Sequence, residues 1–213
     1  MKNFDPSLYL VTDRLLAKGR PIEFIVEQAL KGGVTMVQLR EKDCSIPDFI
    51  NLAVRLKKIL ASFHIPLIIN DRLDIALASD ADGLHIGQQD MPYAIARKIL
   101  GKKKIIGLSV ENITQAKETN ELDADYIGLS PVFVTDTKPE LVNALGLEGV
   151  REIASFSKHC MVAIGGINAR NAIDVLQAGA TGIAVVSAIV SADDPMMAAR
   201  EIREKIDNFK KGK

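Results

Sequence analysis

Short runs of aliphatic and β-branched residues alternate with longer stretches whose apolar positions recur at three- and four-residue spacing, and the alternation continues along the whole chain. The runs Leu8 to Thr12, Met36 to Arg40, Leu67 to Asn70, Gly83 to Ile86, Ile105 to Ser109, Tyr126 to Ser130, Val162 to Gly165 and Gly182 to Val186 predict eight strands. Between them, sets such as Ile22-Ile25-Val26-Ala29-Leu30 and Phe49-Leu52-Ala53-Leu56-Ile59-Leu60 place apolar atoms on one helical face. Gly32-Gly33, Gly101 and Gly179 fall where a left-handed residue ends a helix. Strands apolar at nearly every position are buried on both faces, as parallel strands covered by helices are. Eight such units predict an α/β protein of the (β/α)8 TIM barrel type, one domain over residues 1–213. A doubly wound open sheet is the alternative, but Thr12-Asp13-Arg14 follows the first strand where a G-x-G-x-x-G fingerprint belongs. The lysine-rich tail, Asn208 to Lys213, is expected to fray.

Composition narrows the function classes. Lysine plus arginine and aspartate plus glutamate each number 27, so there is no broad basic field for nucleic acid, and phosphate recognition has to be local. Two distant cysteines, Cys44 and Cys160, suggest neither a disulfide framework nor a zinc site and fit a reducing compartment. The start lacks a secretory pattern and no apolar run reaches membrane-spanning length, so a cytoplasmic protein without a membrane partner is expected. A homo-oligomer remains compatible with this reading.

In a barrel of this kind chemistry sits at the carboxyl ends of the strands. There the chain places Gln38-Leu39-Arg40-Glu41-Lys42, Asn70-Asp71, Gly87-Gln88-Gln89-Asp90, Ser109 and Thr135-Asp136-Thr137-Lys138. Arg40, Lys42 and Lys138 would bring three cations to one mouth, a set that suits pyrophosphate because arginine grips two oxygens and lysine acts as a point charge. A solvated rim is the bland alternative for Arg40, Glu41 and Lys42. Asp71 and Asp90 end neighbouring strands and could hold Mg2+ with substrate phosphate; singly, either would more often cap a helix. Gly165-Gly166 and Ser187, after strands seven and eight, suit a phosphate, although an ordinary turn also uses such glycines. His85 is read as structural, His64 and His159 as surface or capping residues, and Cys44 lacks an adjacent base to act as a nucleophile.

Taken in order, these motifs, together with Pro131-Val132-Phe133-Val134-Thr135-Asp136-Thr137-Lys138-Pro139, Gly165-Gly166-Ile167 and Val186-Ser187-Ala188-Ile189, resemble the thiamine phosphate synthase family over essentially the whole chain. The resemblance implies small-molecule substrates: a hydroxymethylpyrimidine pyrophosphate and a thiazole phosphate, joined with release of pyrophosphate and with one Mg2+ per active site. It implies that Gln38 contacts the pyrimidine, and that Leu39, Arg40, Glu41, Lys42, Asn70, Ser109 and Lys138 belong to the same substrate's site. Arg40, Lys42, Ser109 and Lys138 would be catalytic, and Asp71 and Asp90 would hold the metal. Thr135, Asp136, Thr137, Gly166, Val186 and Ser187 would surround the thiazole phosphate. Val134 stands where the family often has proline and Ser130 where glycine is common, which bears on loop rigidity. A lid over Thr135 to Leu145 is expected to shield a pyrimidine methylene cation from water. The rival readings are a thiazole tautomerase, which needs no pyrophosphate grip, and a non-catalytic sensor of thiazole phosphate or thiamine phosphate.

Overall fold

The computed structural model describes residues 4–134 and 144–212. Its strands are β1 Leu8–Val11, β2 Met36–Leu39, β3 Leu67–Asn70, β4 Gly83–Ile86, β5 Ile105–Val110, β6 Tyr126–Leu129, β7 Cys160–Ala163 and β8 Gly182–Val185. All pair in parallel in sequence order, and β8 pairs with β1, which closes the barrel. The helices are α1 Ile22–Lys31, α2 Ile46–Ala61, α3 Leu73–Ala78, α4 Tyr93–Leu100, α5 Ile113–Thr119, α6 Gly146–Ala154, α7 Ala172–Gln177, α8 Ser187–Val190 and α9 Pro195–Lys211. No helix among the described residues is long and apolar enough to cross a membrane.

Local chemistry starts and stops these helices where the pattern places them. Ser45, Asn112 and Asp194 each accept a hydrogen bond from a backbone N–H in the first turn of α2, α5 and α9. Gly33, Gly101 and Gly179 take positive φ just beyond α1, α4 and α7, where a Cβ would be strained. Two expectations are corrected. Strand β7 begins at Cys160 rather than Val162, because Cys160 and Met161 already pair with Tyr126 and Ile127. The tail does not fray after residue 208: α9 continues to Lys211, Phe209 packs on the core, and Lys210 Nζ donates to Ser7 Oγ.

Strand alternation sorts side chains into two cores. Leu8, Leu10, Val37, Leu39, Leu67, Ile69, Leu84, Ile86, Ile106, Ile127, Ala163 and Ile183 face the helices. Tyr9, Val11, Met36, Ile68, Ile105, Tyr126, Val162 and Ala184 fill the barrel, with Phe4 against the Tyr126 ring at 6.0 Å between centroids. Toward the amino ends of the strands this interior is apolar; toward the carboxyl ends the same inward rows continue as Gln38, Asn70, His85 and Ser109.

Gly107 sets the height of the interior packing. It pairs with Tyr126 in register, and a Cβ there would sit 2.0 Å from Cζ of that ring. The absent methyl is what lets the tyrosine cross the barrel. Gly107→Ala should therefore cost about 2–3 kcal/mol through overpacking, a fall in thermal midpoint of roughly 5–10 °C by scanning calorimetry.

Candidate active site

The inward polar residues surround a cup at the carboxyl ends of the strands, about 830 Å3 including its open mouth. Its wall includes Gln38 and Arg40 from β2 and the residue after its end, Asn70 from β3, Ser109 from β5, and Gly166, Val186 and Ser187 from the turns after β7 and β8. Gln38, Asn70 and Ser109 are buried although polar, which alternation alone explains: each occupies an inward position where the strand leaves the apolar interior.

Arg40 is held from the side by the first-strand loop. Its Nη1 donates to Asp13 Oδ2 at 2.7 Å, with both side chains 12% exposed. The other carboxylate oxygen of Asp13 accepts from the N–H groups of Leu15 and Leu16, so the counter-ion is fixed to a turn. The Nε of Arg40 is buried and has no partner among the described residues. A buried N–H without an acceptor costs free energy, and an anion in the cup would offset that cost.

Beyond the carboxyl ends of β2, β3 and β4 stands a cluster of one cation and two carboxyls. Lys42 Nζ lies 3.3 Å from Asp71 Oδ2. Asp71 has φ +61°, a left-handed conformation that aspartate tolerates better than most residues, and its backbone N–H donates to the His85 carbonyl. Asp90 accepts from the Gly87 N–H at 2.7 Å. Burial and then the adjacent Asp71 carboxyl push the Asp90 carboxyl above the usual carboxylate range, while the Gly87 N–H and Lys42 oppose the shift. Neither aspartate caps a helix: the residues at those positions of α3 and α4 are Arg72 and Pro92. The two hard oxygen donors fit a cation such as Mg2+, which takes one or two carboxylates and completes its shell with water and phosphate.

The floor of the cup is a hydrogen-bonded row. Gln38 Nε2 donates to the Tyr9 hydroxyl at 3.0 Å, and Tyr9 and Tyr126 hydroxyls lie 2.9 Å apart. Tyr126 reaches His85 Nδ1 at 2.9 Å, and His85 Nε2 reaches Ser109 Oγ at 2.9 Å. The His85 and Tyr126 rings stack at 5.5 Å. Burial raises both phenols above their ordinary pKa, so they stay protonated.

At the opposite wall the turn after β7 uses two glycines at positive φ, 109° for Gly165 and 63° for Gly166. A Cβ on Gly165 would meet Pro131 at 2.7 Å, and one on Gly166 would meet Phe133 at 2.9 Å. Val132 and Phe133 N–H groups donate to the carbonyls of Ile164 and Gly165, which binds the loop after β6 to the turn. These glycines thus serve backbone packing while also bordering the cup. Helix α8 opens at Ser187 without a side-chain cap.

The structure therefore brings Gln38, Arg40, Asn70, Ser109, Gly166, Val186 and Ser187 to one cup, with Lys42, Asp71 and Asp90 clustered near Arg40 and Asn70 in sequence. Two placements are corrections. Leu39 is fully buried on the helix side of β2, so its side chain is packing rather than substrate contact. Glu41 turns to Arg14, which donates to it through Nε at 2.8 Å and Nη2 at 3.0 Å; its carboxylate braces the rim instead of entering the cup. Thr135, Asp136, Thr137 and Lys138, with most of the expected lid, lie outside the described residues. Sequence reasoning missed Asp13, Tyr9 and Tyr126 and left the direction of His85 open. The two-residue strand period, counted from Gln38 or Ser109 through the pairing register, would have turned the two tyrosines and His85 inward. His159 joins the Thr119 and Ala124 carbonyls and so straps a loop, as a structural histidine does.

Comparison with known proteins agrees with this geometry. Residues 8–189 match the family described as thiamine monophosphate synthase. The thiamine-phosphate synthase of Syntrophomonas wolfei is 50% identical over 96% of this chain and 98% of its own, and that of Chloroflexus aurantiacus 48% identical over 93% and 92%. Among solved structures, thiamine phosphate pyrophosphorylase from Pyrococcus furiosus superposes with a TM-score of 0.89 at 38% identity, over 96% of this chain and 97% of that one. Orotidine 5'-phosphate decarboxylase from Pyrococcus horikoshii, 18% identical with a TM-score of 0.69 and coverage of 94% and 99%, shares the barrel alone. The chain belongs to the thiamine monophosphate synthase family and is an enzyme of the transferase class.

Proposed function

We propose that this enzyme joins hydroxymethylpyrimidine pyrophosphate to a thiazole phosphate, giving thiamine phosphate and pyrophosphate, with the diphosphate seated between Arg40, Asn70, Ser109 and the Lys42–Asp71–Asp90 cluster. The observation that carries the reading is the buried Nε of Arg40, which has no partner among the described residues, on the wall of a cup whose strands β2 and β3 also lead into Lys42 and Asp71, an ion pair next to the Asp90 carboxyl. A thiazole tautomerase has no use for that anion grip.

In this reading the C–O bond between the pyrimidine methylene and the diphosphate breaks first, and its electron pair leaves with the diphosphate. The lone pair of the thiazole nitrogen then forms the new C–N bond to the methylene cation. No protein nucleophile is needed. Arg40 and Lys42 meet charge that grows on the departing oxygens, where a placed donor can contribute roughly 3–4 kcal/mol. Mg2+, when held by Asp71 and Asp90, supplies further positive charge to the same leaving group. Gln38 and the tyrosine floor fix the pyrimidine while the turns after β7 and β8 receive the second phosphate. Holding both reactants in line can contribute roughly 7–11 kcal/mol. The reading adds Lys138, which lies outside the described residues, on the resemblance of its motif to the family's.

The deciding experiment is a mixture of both substrates with the purified protein, followed for pyrophosphate and for thiamine phosphate. Both should appear only with Mg2+ present and cease on chelation; binding without turnover would identify a sensor instead. Arg40→Ala should lower kcat by about 10²–10³-fold. Asp13→Asn, which leaves the guanidinium in place without its counter-ion, should lower it by about tenfold or less. Lys138→Ala should lower turnover while leaving the thermal midpoint unchanged; unaltered turnover would remove Lys138 from the mechanism.

A further inference from the structure

The row Gln38–Tyr9–Tyr126–His85–Ser109 can be followed proton by proton. Gln38 Nε2 is a donor, so the Tyr9 oxygen accepts from it. Tyr9 is 1% exposed, and among the described residues the other partner of its hydroxyl is Tyr126, so its proton goes to the Tyr126 oxygen. Tyr126 is fully buried as well and must pass its own proton to His85 Nδ1. A neutral His85 then carries its proton on Nε2 and donates to Ser109 Oγ, which leaves the Ser109 proton to be given into the cup. Every bond points the same way. With the partners found among the described residues, the row can also run neutral in reverse: Ser109 gives its proton to His85, and Tyr9 donates to a Gln38 amide that has turned its oxygen inward.

We infer that this row makes Gln38 a specificity residue whose amide orientation is set, through Tyr9, Tyr126 and His85, by an anion accepting the Ser109 proton three strands away around the barrel wall. An acceptor at Ser109, such as a pyrophosphate oxygen, selects the first direction and excludes the second. With Gln38 Nε2 committed to Tyr9, Oε1 and the second N–H form the edge left for a ligand. That edge matches a 4-aminopyrimidine, whose exocyclic N–H stands beside a ring nitrogen acceptor. A 4-oxopyrimidine presents a ring N–H beside a carbonyl, the inverse order, and fits only the flipped amide. The pyrophosphate end and the heterocycle edge are therefore read jointly. His85 and Tyr126 act here as positioning residues. The inference rests on the pyrimidine site proposed above.

Calorimetry with 4-amino-5-hydroxymethyl-2-methylpyrimidine and its 4-oxo counterpart, each with and without inorganic pyrophosphate and Mg2+, tests it. The wild-type protein should prefer the amino compound by about tenfold or more when pyrophosphate is present and by less when it is absent. Tyr126→Phe cuts the row and should bring the ratio to within about threefold, with pyrophosphate still bound. Ser109→Ala, a second variant on a different element, should leave a ratio that no longer responds to pyrophosphate. Nitrogen-15 shifts of His85 should place its proton on Nε2 with pyrophosphate bound. A wild-type ratio retained in Tyr126→Phe, or a proton on Nδ1 in the pyrophosphate complex, overturns the inference. Failure of the wild-type protein to form thiamine phosphate would instead overturn the function on which it rests, and the two results are separable.

Discussion

Parallel pairing around a closed sheet is the constraint on which this molecule depends, because it decides which side chains share an interior. With a side-chain period of two, a one-residue slip in β2 would send Gln38 into the helix layer and bring Leu39 to the cup. The same slip in β5 would exchange Ser109 for Leu108. Apolar burial on the outer face forbids both, since Leu39 and Leu108 lie in the helix-facing core. The chemistry of the cup is thus held in place by residues that never face it.

Charge is managed locally. The chain carries no net charge, and among the described residues three strand-end cations each have a carboxylate partner, Arg40 with Asp13, Arg14 with Glu41 and Lys42 with Asp71, with Asp90 added beside the last. These pairs are not equivalent. Arg14 is more than half exposed and its link to Glu41 contributes little to stability, whereas Arg40 and Asp13 are shielded and depend on each other. A shielded guanidinium whose buried Nε–H has no acceptor among the described residues is pre-set for a ligand, because the enzyme has already met the desolvation cost during folding.

Most of the barrel was legible in the chain because strand and helix periods are local properties. All eight strands fall where the aliphatic runs are, and seven begin at the expected residue. The exception, β7, starts with Cys160 and Met161, which follow the polar Lys158-His159 and do not resemble a strand until their neighbours in β6 are known. Lysine-rich sequence suggests solvent in the tail, whereas Ile206 and Phe209 supply the apolar face that keeps it helical. In the cup, residues that interrupt apolar runs, such as Gln38, Asn70 and Ser109, announced themselves. Tyr9 and Tyr126 did not, since a tyrosine in a strand is ordinary and only the ring of neighbours turns two of them into a floor. Asp13 was invisible for a different reason: its importance lies in a contact with Arg40, 27 residues away, that no local pattern encodes.

The pairing of β8 with β1 carries a consequence for how the sheet closes. Leu8–Val11 draws one of its two ladders from Gly182–Val185, so its second flank cannot be paired until those distant residues are available. Without β8 the sheet has two unpaired margins, β1 and β7, of the kind that invite pairing with another chain, and the last strand removes both at once.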